Sequence, residues 1–383
     1  MKNRVIILGS TGSIGQAALE VVAGLAPECR VVGLAAQSSW DRLGEQVRYW
    51  KPEAVALADT RYAGELRAAV GASTVVLTGS ESLVELVEQV DCDCVLAGVV
   101  GAVSLPAIVR AVELGRRVAV ANKEALVIAG ALLMPLARRS GAEIIPVDSE
   151  HSAVFQALQA GTAQEVRRIW LTASGGPFRT WSTEQMSRAT LADALNHPTW
   201  EMGPKITIDC ATLVNKALEI IEARWLFDLD PSQIEILIHP ESIVHGLVEF
   251  ADGSVIAQMG APDMRTPIQY TLTYPQRLPC PSARLDLTAV GRLSFEPPDP
   301  ARFPALRLGY EVARQGGLAG AVFNAANEAA VGLFRTGEIR FCEIVALTEQ
   351  VLGRHDPDPE PALDDLLAAD RWAREEVTRC LTC

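Results

Sequence analysis

Short apolar runs recur along the first part of the chain, and segments long enough for helices separate them. The runs end at glycine, serine or charged positions, which is typical of buried strands. Alternating strands and helices predict a parallel sheet covered on both faces, so we expect a doubly wound, Rossmann-like α/β domain. The predicted strands cover residues 5–8, 30–36, 54–58, 74–77, 94–99, 117–121 and 143–147.

The pattern changes after residue 147. Strand-like runs at 167–172, 234–238, 243–250 and 254–259, with a hairpin turn at Asp252-Gly253, predict a second, partly antiparallel sheet in an α+β domain. A proline-rich stretch without period at 278–300 predicts a connector. Helical periodicity covers residues 211–227, 305–315, 319–335, 341–352 and 361–381, and the last four of these predict a C-terminal helical bundle.

Composition narrows the class of protein. The 383 residues are 49% hydrophobic, and 34 basic minus 47 acidic residues give a net charge of −13, so neither nucleic acid nor a membrane is expected as the main partner. The apolar run at 5–8 is too short for a signal peptide, and we predict no membrane span. Eight scattered cysteines favour a reducing cytoplasm. Cys92/Cys94 and Cys380/Cys383 are the close pairs, and without a second pair at ligand spacing we do not expect a zinc site.

The first predicted strand runs into the glycine-rich segment 9–15, GSTGSIG, and then into a helical pattern. Glycines let backbone amides approach a phosphate, and the helix offers its positive end, so we favour a pyrophosphate site over a plain tight turn. The next strand ends at Gln37-Ser38-Ser39, with Arg42 nearby and no acid in the usual place. Hydroxyls and an arginine suit a 2′-phosphate, which favours NADPH over NADH, although Asp41 weakens that preference.

Two further polar groups follow strands of the same sheet. Asp148-Ser149-Glu150 comes directly after the run 143–147; if the strand continued, both carboxylates would point the same way, and such anions tend to need a cation between them. A solvated loop is the alternative. Asn122 and Glu124 suit a helix cap and its first turn, but capping does not explain Lys123.

The second domain contributes four further segments. Ser174 lies in a small-residue turn, SGGPF, that can wrap an anion or simply turn the chain. Residues 197–205, HPTWEMGPK, predict a mobile flap over a ligand, or else a surface loop that buries Trp200. Lys216 and Glu219 lie three apart on an apolar helix, either as a surface ion pair or as buried groups that need partners. A third carboxylate, Glu219, would complete an all-oxygen site of the kind Mg²⁺ or Mn²⁺ prefers.

Other polar residues have simpler interpretations. His239 and His245 are expected to be packed or capping histidines, whereas His151 adjoins the acids. Asn324-Ala325-Ala326-Asn327-Glu328 places amides in a small-residue helix, which we interpret mainly as helix packing, with support of the site as the alternative.

These motifs, taken in order, resemble the 1-deoxy-D-xylulose 5-phosphate reductoisomerase family. The match is carried by GSTGSIG, ANKEAL, VDSEH, SGGPF, HPTWEMG, NKALEIIEARWLF, HPES, PDMRTP and NAANE, between residues 9 and 328. The resemblance implies a homodimeric, NADPH- and metal-dependent oxidoreductase and isomerase of non-mevalonate isoprenoid biosynthesis. It also implies domains at 1–147 (NADPH), 148–279 (metal and substrate, with flap 197–205) and 301–383 (helical), with a linker at 280–300.

The resemblance implies a role for each matching residue. The metal, Mg²⁺ or Mn²⁺ with Co²⁺ as a further candidate, would be held by Asp148, Glu150 and Glu219, which with Lys123 form the catalytic set. The substrate would contact Lys123, Ser149, Glu150, Ser174, His197, Cys210, Asn215, Lys216 and Glu219. The flap would carry Trp200 and Met202, and His239 would support the pocket. The cofactor would contact Gly9, Thr11, Gly12, Ser13, Ile14, Ser38, Ser39, Asn122, Glu124 and Gly203.

Two departures from the family pattern matter. The family usually has a serine where this chain has Cys210, and a thiol is a weaker hydrogen-bond donor to phosphate. Gln37-Ser38-Ser39 also replaces the basic or amide residue common in relatives, which leaves the 2′-phosphate contacts open.

Two rival classes remain at this point. A two-domain NADPH-dependent reductase such as a semialdehyde dehydrogenase would need a nucleophilic cysteine, for which Cys210 is the only candidate in the second domain. A nucleotide-sensing protein without catalysis would have no need for three convergent acids.

Overall fold

The computed structural model describes residues 3–72, 74–200 and 202–382. Glu201 of the predicted flap and Cys383 of the C-terminal thiol pair lie outside them. The strands are β1 Asn3–Leu8, β2 Cys29–Ala36, β3 Ala54–Leu57, β4 Val75–Thr78, β5 Cys94–Ala97, β6 Arg117–Val120, β7 Ile144–Pro146, β8 Val166–Ala173, β9 Ile234–Ile238, β10 Val244–Phe250 and β11 Val255–Met259.

The helices alternate with β1 to β7 and then dominate the C-terminal part. They are α1 Ser13–Gly24, α2 Trp40–Trp50, α3 Ala63–Val70, α4 Ser82–Gln89, α5 Leu105–Glu113, α6 Lys123–Ser140, α7 Ser149–Ala157, α8 Thr183–Met186, α9 Leu191–Leu195, α10 Pro204–Thr212, α11 Val214–Phe227, α12 Arg265–Thr273, α13 Leu287–Val290, α14 Ala305–Gln315, α15 Ala319–Thr336, α16 Phe341–Leu352 and α17 Leu363–Thr382. None of them is both long and apolar enough to cross a membrane.

Packing divides the chain into two compact units. The first comprises residues 3–125, Leu133–Ser152 and Asp263–Ala283. The second comprises Leu126–Leu132, Ala153–Pro262 and residues 284–382. The boundaries of these packing units differ from those of the predicted domains at 1–147, 148–279 and 301–383. The predicted domains were defined by function and stay a prediction. Part of the predicted 148–279 segment joins the first unit because α12 buries Ile268 and Leu272 there and Asn3 Nδ2 donates to the Leu272 oxygen at 2.7 Å.

The first unit is built on a seven-stranded sheet in the order β4-β3-β2-β1-β5-β6-β7, and every pairing is parallel. Apolar runs such as Val5–Leu8 are buried on both faces because helices cover the sheet. The chain moves outward from β1 in both directions, so strand order reverses between β1 and β5. Ligands of such sheets bind at this point, beyond the carboxyl ends of the strands. The predicted Rossmann-like class is confirmed.

The second unit contains a four-stranded sheet in the order β11-β10-β8-β9. β8 and β9 are parallel and the other two pairings are antiparallel. The predicted hairpin is present, with Gly253 at φ +85°. Helices α11 and α14 to α17 share one apolar core with this sheet, which includes Ile169, Ile220 and Phe323. The predicted mixed sheet and helical C-terminal region are therefore confirmed.

Candidate active site

The glycine-rich segment joins β1 to α1, and a different structural constraint explains the glycine at each position. Gly9 has φ of +84°, and a Cβ there would lie 2.9 Å from the Gly98 oxygen. A Cβ on Gly15 would lie 2.3 Å from the Gly9 oxygen, so α1 approaches the turn closely. Gly12 is the N-cap of α1 and provides no side-chain cap. A helix amino end of this kind at the strand-order reversal suits an anionic ligand.

The other predicted cofactor residues of the first unit surround strand ends. Thr11, Ser13 and Ile14 belong to the same turn, and Ile14 packs over Gly98. Ser38 is exposed beyond β2, and Ser39 is the N-cap of α2 without a side-chain cap bond. These hydroxyls lie at the carboxyl edge of the sheet, one strand away from the glycine turn.

Asn122 caps α6, which confirms its structural interpretation. Its Oδ1 accepts the Ala125 amide at 3.2 Å, and its Nδ2 donates to the Gly101 oxygen at 2.9 Å and to Ser104 Oγ at 3.2 Å. This amide therefore joins the turn after β5 to the helix after β6. The cap places Lys123 as the first residue of α6.

Asp148 and Glu150 do not continue the strand, so the expected strand alternation is wrong. β7 ends at Pro146, and α7 begins at Ser149. The Asp148 oxygen accepts the Ser152 amide at 2.8 Å, and Asp148 Oδ1 accepts the Glu150 amide at 3.3 Å. Both acids thus lie at the amino end of a helix, where unpaired amides and the helix dipole stabilise negative charge.

Lys123 and His151 determine the ionisation of Asp148. Lys123 Nζ lies 2.8 Å from Asp148 Oδ2, and His151 Nδ1 lies 3.7 Å from Asp148 Oδ1. Burial raises the pKa of Asp148, but the charge of Lys123 and the neighbouring His151 outweigh it and hold that pKa well below its usual value. Ser149 Oγ donates to Glu150 Oε2 at 2.5 Å. The first unit therefore presents an ionised carboxylate beside a lysine at the sheet edge.

In the second unit, α11 carries several buried or half-buried polar groups, among them Asn215, Lys216 and Glu219. Asn215 Nδ2 donates to Glu219 Oε1 at 2.7 Å, and Lys216 Nζ donates to Glu219 Oε2 and to the Thr172 oxygen. Glu219 is fully buried, and Lys216 is 2% exposed. The interpretation as a surface ion pair is therefore wrong, and the buried alternative holds.

The predicted single helix 211–227 is in fact two helices. Leu213 adopts φ of +57° between α10 and α11, so the chain turns sharply there. The Cys210 oxygen accepts the Leu213 amide at 3.3 Å, and a Cβ on Gly176 would lie 2.5 Å from that same oxygen. Gly176 thus allows the Ser174 turn to rest against the end of α10. The turn and both helices converge within this unit.

His197 connects the predicted flap to Ser174. Its Nδ1 accepts the Thr199 amide at 3.2 Å and the Trp200 amide at 2.9 Å, which places the ring proton on Nε2. Nε2 then donates to Ser174 Oγ at 3.1 Å. The Ser174 oxygen also accepts the Gly176 amide at 3.2 Å, so its own proton is directed elsewhere. Burial lowers the pKa of His197 below 6.5, which keeps the ring neutral.

The flap continues through Met202, which is half-buried, to Gly203, the N-cap of α10. Thr207 Oγ1 donates to the Gly203 oxygen at 2.9 Å and fastens this end of the flap to the helix. The flap thus begins as a turn around His197 at residues 197–200 and is fastened at its other end to α10.

His239 and His245 are packed side chains, as predicted. His239 is fully buried; its Nδ1 donates to the Ser294 oxygen at 2.8 Å and its Nε2 accepts the Ile243 amide at 3.2 Å. His245 Nε2 lies 3.2 Å from the Gly260 oxygen.

The sequence interpretation did not identify Asp209, which is 1% exposed and lies next to Cys210. Its carboxylate lies 2.8 Å from Lys205 Nζ. The spacing of Lys205 and Asp209, four residues apart after a proline, was the available signal, but it is common on solvated helices.

The folds and polar groups define a class of protein: a two-unit chain in which one unit has a dinucleotide-binding type of sheet and the other carries buried carboxylate, lysine and amide groups. Family models match residues 5–130, described as 1-deoxy-D-xylulose 5-phosphate reductoisomerase, and residues 144–227, its C-terminal domain. A DXP reductoisomerase C-terminal domain model matches residues 259–376.

Sequence similarity to reductoisomerases of this family extends over nearly the whole chain. The reductoisomerase of a Cyanothece species is 47% identical over 97% of this chain and 98% of its own. That of Pelotomaculum thermopropionicum is 49% identical over 98% of this chain and 97% of its own. The chain therefore belongs to the 1-deoxy-D-xylulose 5-phosphate reductoisomerase family, which removes both rival classes.

Two solved structures support the same conclusion. The Zymomonas mobilis reductoisomerase in complex with NADPH has a TM-score of 0.94 at 40% identity, covering 100% of this chain and 99% of its own. A DOX-P reductoisomerase in complex with NADPH, fosmidomycin and magnesium has a TM-score of 0.91 at 37% identity, covering 99% of this chain and 98% of its own.

Proposed function

We propose that this protein converts 1-deoxy-D-xylulose 5-phosphate to 2-C-methyl-D-erythritol 4-phosphate, with NADPH as hydride donor and a divalent metal ion, in non-mevalonate isoprenoid biosynthesis. The observation that carries the proposal is the ionised Asp148 beside Lys123 at the edge of a dinucleotide-type sheet, in a chain of this family. The reaction moves a carbon–carbon bond of a hydroxyketone and then reduces the resulting aldehyde.

The metal ligands in this proposal are the carboxylates of Asp148, Glu150 and Glu219. A set of three carboxylates is hard and oxygen-only, which suits Mg²⁺ and also Mn²⁺ or Co²⁺. The low pKa of Asp148 keeps a ligand charged at neutral pH. The bound metal would supply Lewis acidity at the substrate carbonyl and its neighbouring hydroxyl.

The chain's own groups bind and orient the substrate. Lys123 and Ser149 donate to its oxygens, while Lys216 supplies a positive charge to its phosphate. Ser174 suits a phosphate donor because His197 and Gly176 both donate to its oxygen, which leaves the hydroxyl proton for the ligand. Asn215 completes this phosphate site with Cys210, whose thiol is the weakest donor of the set.

The cofactor contacts follow the sheet edge. The turn from Gly9 to Ile14 receives the pyrophosphate, Ser38 and Ser39 the 2′-phosphate, and Asn122, Glu124 and Gly203 complete the site. Trp200 and Met202 of the flap cover the reacting groups and exclude water, which protects the intermediate aldehyde.

We further propose a homodimer in the cytoplasm. β11 is an edge strand of the four-stranded sheet, and Val255 and Ile256 on it are 48% and 39% exposed. An apolar edge favours pairing with a second copy. The cysteines of the described residues for which a state is given are free thiols, as expected in a reducing compartment. Light scattering during size-exclusion chromatography tests the dimer, and a monomeric mass contradicts it.

The activity is tested by following NADPH oxidation with 1-deoxy-D-xylulose 5-phosphate, in Mg²⁺ and after removal of metal with a chelator. We expect turnover only with metal. Turnover that survives the chelator refutes the metal mechanism, and a lack of turnover with both Mg²⁺ and Mn²⁺ refutes the proposed function.

A further inference from the structure

Helix α15 carries two amides that the proposed chemistry does not use. Asn324 and Asn327 are both fully buried. Burying an amide among apolar side chains is costly unless it forms hydrogen bonds. Asn324 bonds within its own helix, since its Nδ2 donates to Glu328 Oε1 at 3.2 Å. Asn327 instead reaches a different helix.

Asn327 Nδ2 donates to Asp209 Oδ1 at 2.8 Å, across 118 positions of sequence. Lys205 Nζ lies 2.8 Å from the other carboxylate oxygen, Asp209 Oδ2. A buried carboxylate is thus held on one side by α15 and on the other by the first turn of α10. Losing either partner leaves a poorly compensated buried charge, so the arrangement has one favoured geometry.

Helix α15 is the better fixed of the two helices. It has 18 residues, and Glu328 Oε2 lies 2.5 Å from an Arg374 nitrogen of α17. Arg374 is held in turn by Asp370 at 2.8 Å. Helix α10 has nine residues, starts directly after Gly203 of the flap and ends at the sharp turn described above. The bridge therefore sets the position of α10 from the C-terminal helices.

The position of α10 matters because of what adjoins it. Cys210 follows Asp209 directly, and its carbonyl rests against Gly176 of the Ser174 turn. Asn215 and Lys216 begin the next helix, and Lys205 is two residues after the flap's Gly203. A small displacement of Asp209 would separate these phosphate-site groups from Ser174.

We propose that Asp209 and Asn327 are positioning residues, forming a buried bridge by which the C-terminal helices hold the phosphate-binding turn and the end of the flap in place. The inference rests on the proposed function, because it concerns the site assigned to the substrate's phosphate. It gives the NAANE motif a role in the site in addition to packing.

The test is Asn327→Asp, which sets two carboxylates against each other without changing side-chain size. We expect kcat/KM for 1-deoxy-D-xylulose 5-phosphate to fall about 10- to 100-fold, since misplacement of about 1 Å has effects of this size. KM for this substrate should rise more than KM for NADPH, because Gly203 is the one proposed cofactor contact next to α10, whereas the proposed phosphate contacts Cys210, Asn215 and Lys216 all follow Asp209. The matched control is Asn324→Asp, an equally buried amide on the same helix whose Nδ2 donates to Glu328 of α15 itself.

Rescue separates positioning from general damage. In Asp209→Asn/Asn327→Asp the amide and carboxylate exchange places, so the hydrogen bond between α10 and α15 and the net charge are kept while the Lys205 ion pair is lost, and part of the loss should be recovered. Asn327→Ser, which leaves a polar group and room for water, provides a second variant should Asn327→Asp fold poorly. Equal losses in the Asn324 and Asn327 variants, or an unchanged substrate KM in a folded Asn327 variant, overturn the proposal.

A measurement independent of turnover keeps the two proposals apart. Alkylation of Cys210 by iodoacetamide, followed by mass spectrometry of its peptide, reports the surroundings of α10. Inorganic phosphate should slow this alkylation in the wild-type and Asn324→Asp proteins and not in Asn327→Asp. If wild-type protein has no turnover but shows this difference, the proposed function fails and the bridge stands; equal protection in all three overturns the bridge.

Discussion

Glu219→Gln gives the sharpest prediction, because one atom change alters both the stability and the metal affinity. The wild-type carboxylate is fully buried and accepts hydrogen bonds from Asn215 and Lys216. Glutamine keeps one acceptor oxygen and loses the charge. Removing one partner of a buried ion pair costs about 3–5 kcal/mol, and a retained hydrogen bond returns about 1 kcal/mol. We therefore expect the metal-free variant to be about 2–4 kcal/mol less stable, yet folded.

The metal response should change as well. Metal at 100 times its Kd stabilises the folded protein by about 2.7 kcal/mol. Changes to residues that only support a ligand weaken metal binding by 10- to 100-fold, so losing a ligand should raise Kd by at least about 100-fold. At the same Mg²⁺ concentration the increase in the free energy of unfolding that the metal provides then falls to about 0.4 kcal/mol or less.

Urea unfolding with and without Mg²⁺ measures both quantities on one protein. The matched control is Glu249→Gln, since Glu249 is another carboxylate of the second unit with cationic partners, Arg167 and Arg168 at 2.7 and 2.6 Å. Its Mg²⁺ gain should equal that of the wild type. A full Mg²⁺ gain in Glu219→Gln would remove Glu219 from the metal site, whatever its effect on turnover.

Three further results are expected. The pKa of His197 is lowered in the folded protein, so the flap turn is fully formed above pH 6.5 and is lost as the pH falls through this lowered pKa. An NMR titration of the His197 ring checks this, and a transition above pH 6.5 contradicts it. Gly130→Ala places a Cβ 2.2 Å from the Trp225 ring and should destabilise the folded protein by about 1–3 kcal/mol in urea unfolding. Gly332→Ala, where the Cβ meets open space in a helix, should stabilise the folded protein by about 0.5–1 kcal/mol. Equal effects of the two variants would refute the packing argument. Cys210→Ser should lower the substrate KM several-fold because a hydroxyl is the stronger donor, while the exposed Cys342→Ser should not; an unchanged KM in the first variant removes Cys210 from the phosphate site.

Local patterns identified most elements correctly. Apolar runs buried on both faces produced strand boundaries within two residues for β1 and β2, because a fully covered strand needs continuous apolar residues. Residues 305–315 and 341–352 matched α14 and α16, whose helical period is regular. The break at Leu213 escaped this reasoning because apolar periodicity continues across it, and only the tertiary packing of α10 and α11 requires the positive φ.

The sequence alone determined the sheet type, the glycine turn and the presence of acids, lysine and serine in the order of one family. These features depend on near neighbours in the chain. The tertiary structure decided the ionisation of Asp148, the burial of Lys216 with Glu219, and the bond between Asp209 and Asn327. Each depends on groups brought together from distant parts of the chain or on exclusion of water, and no local pattern encodes either. A lysine and glutamate three apart look the same on a wet surface and in a core; only the packing around Lys216 and Glu219 distinguishes the two.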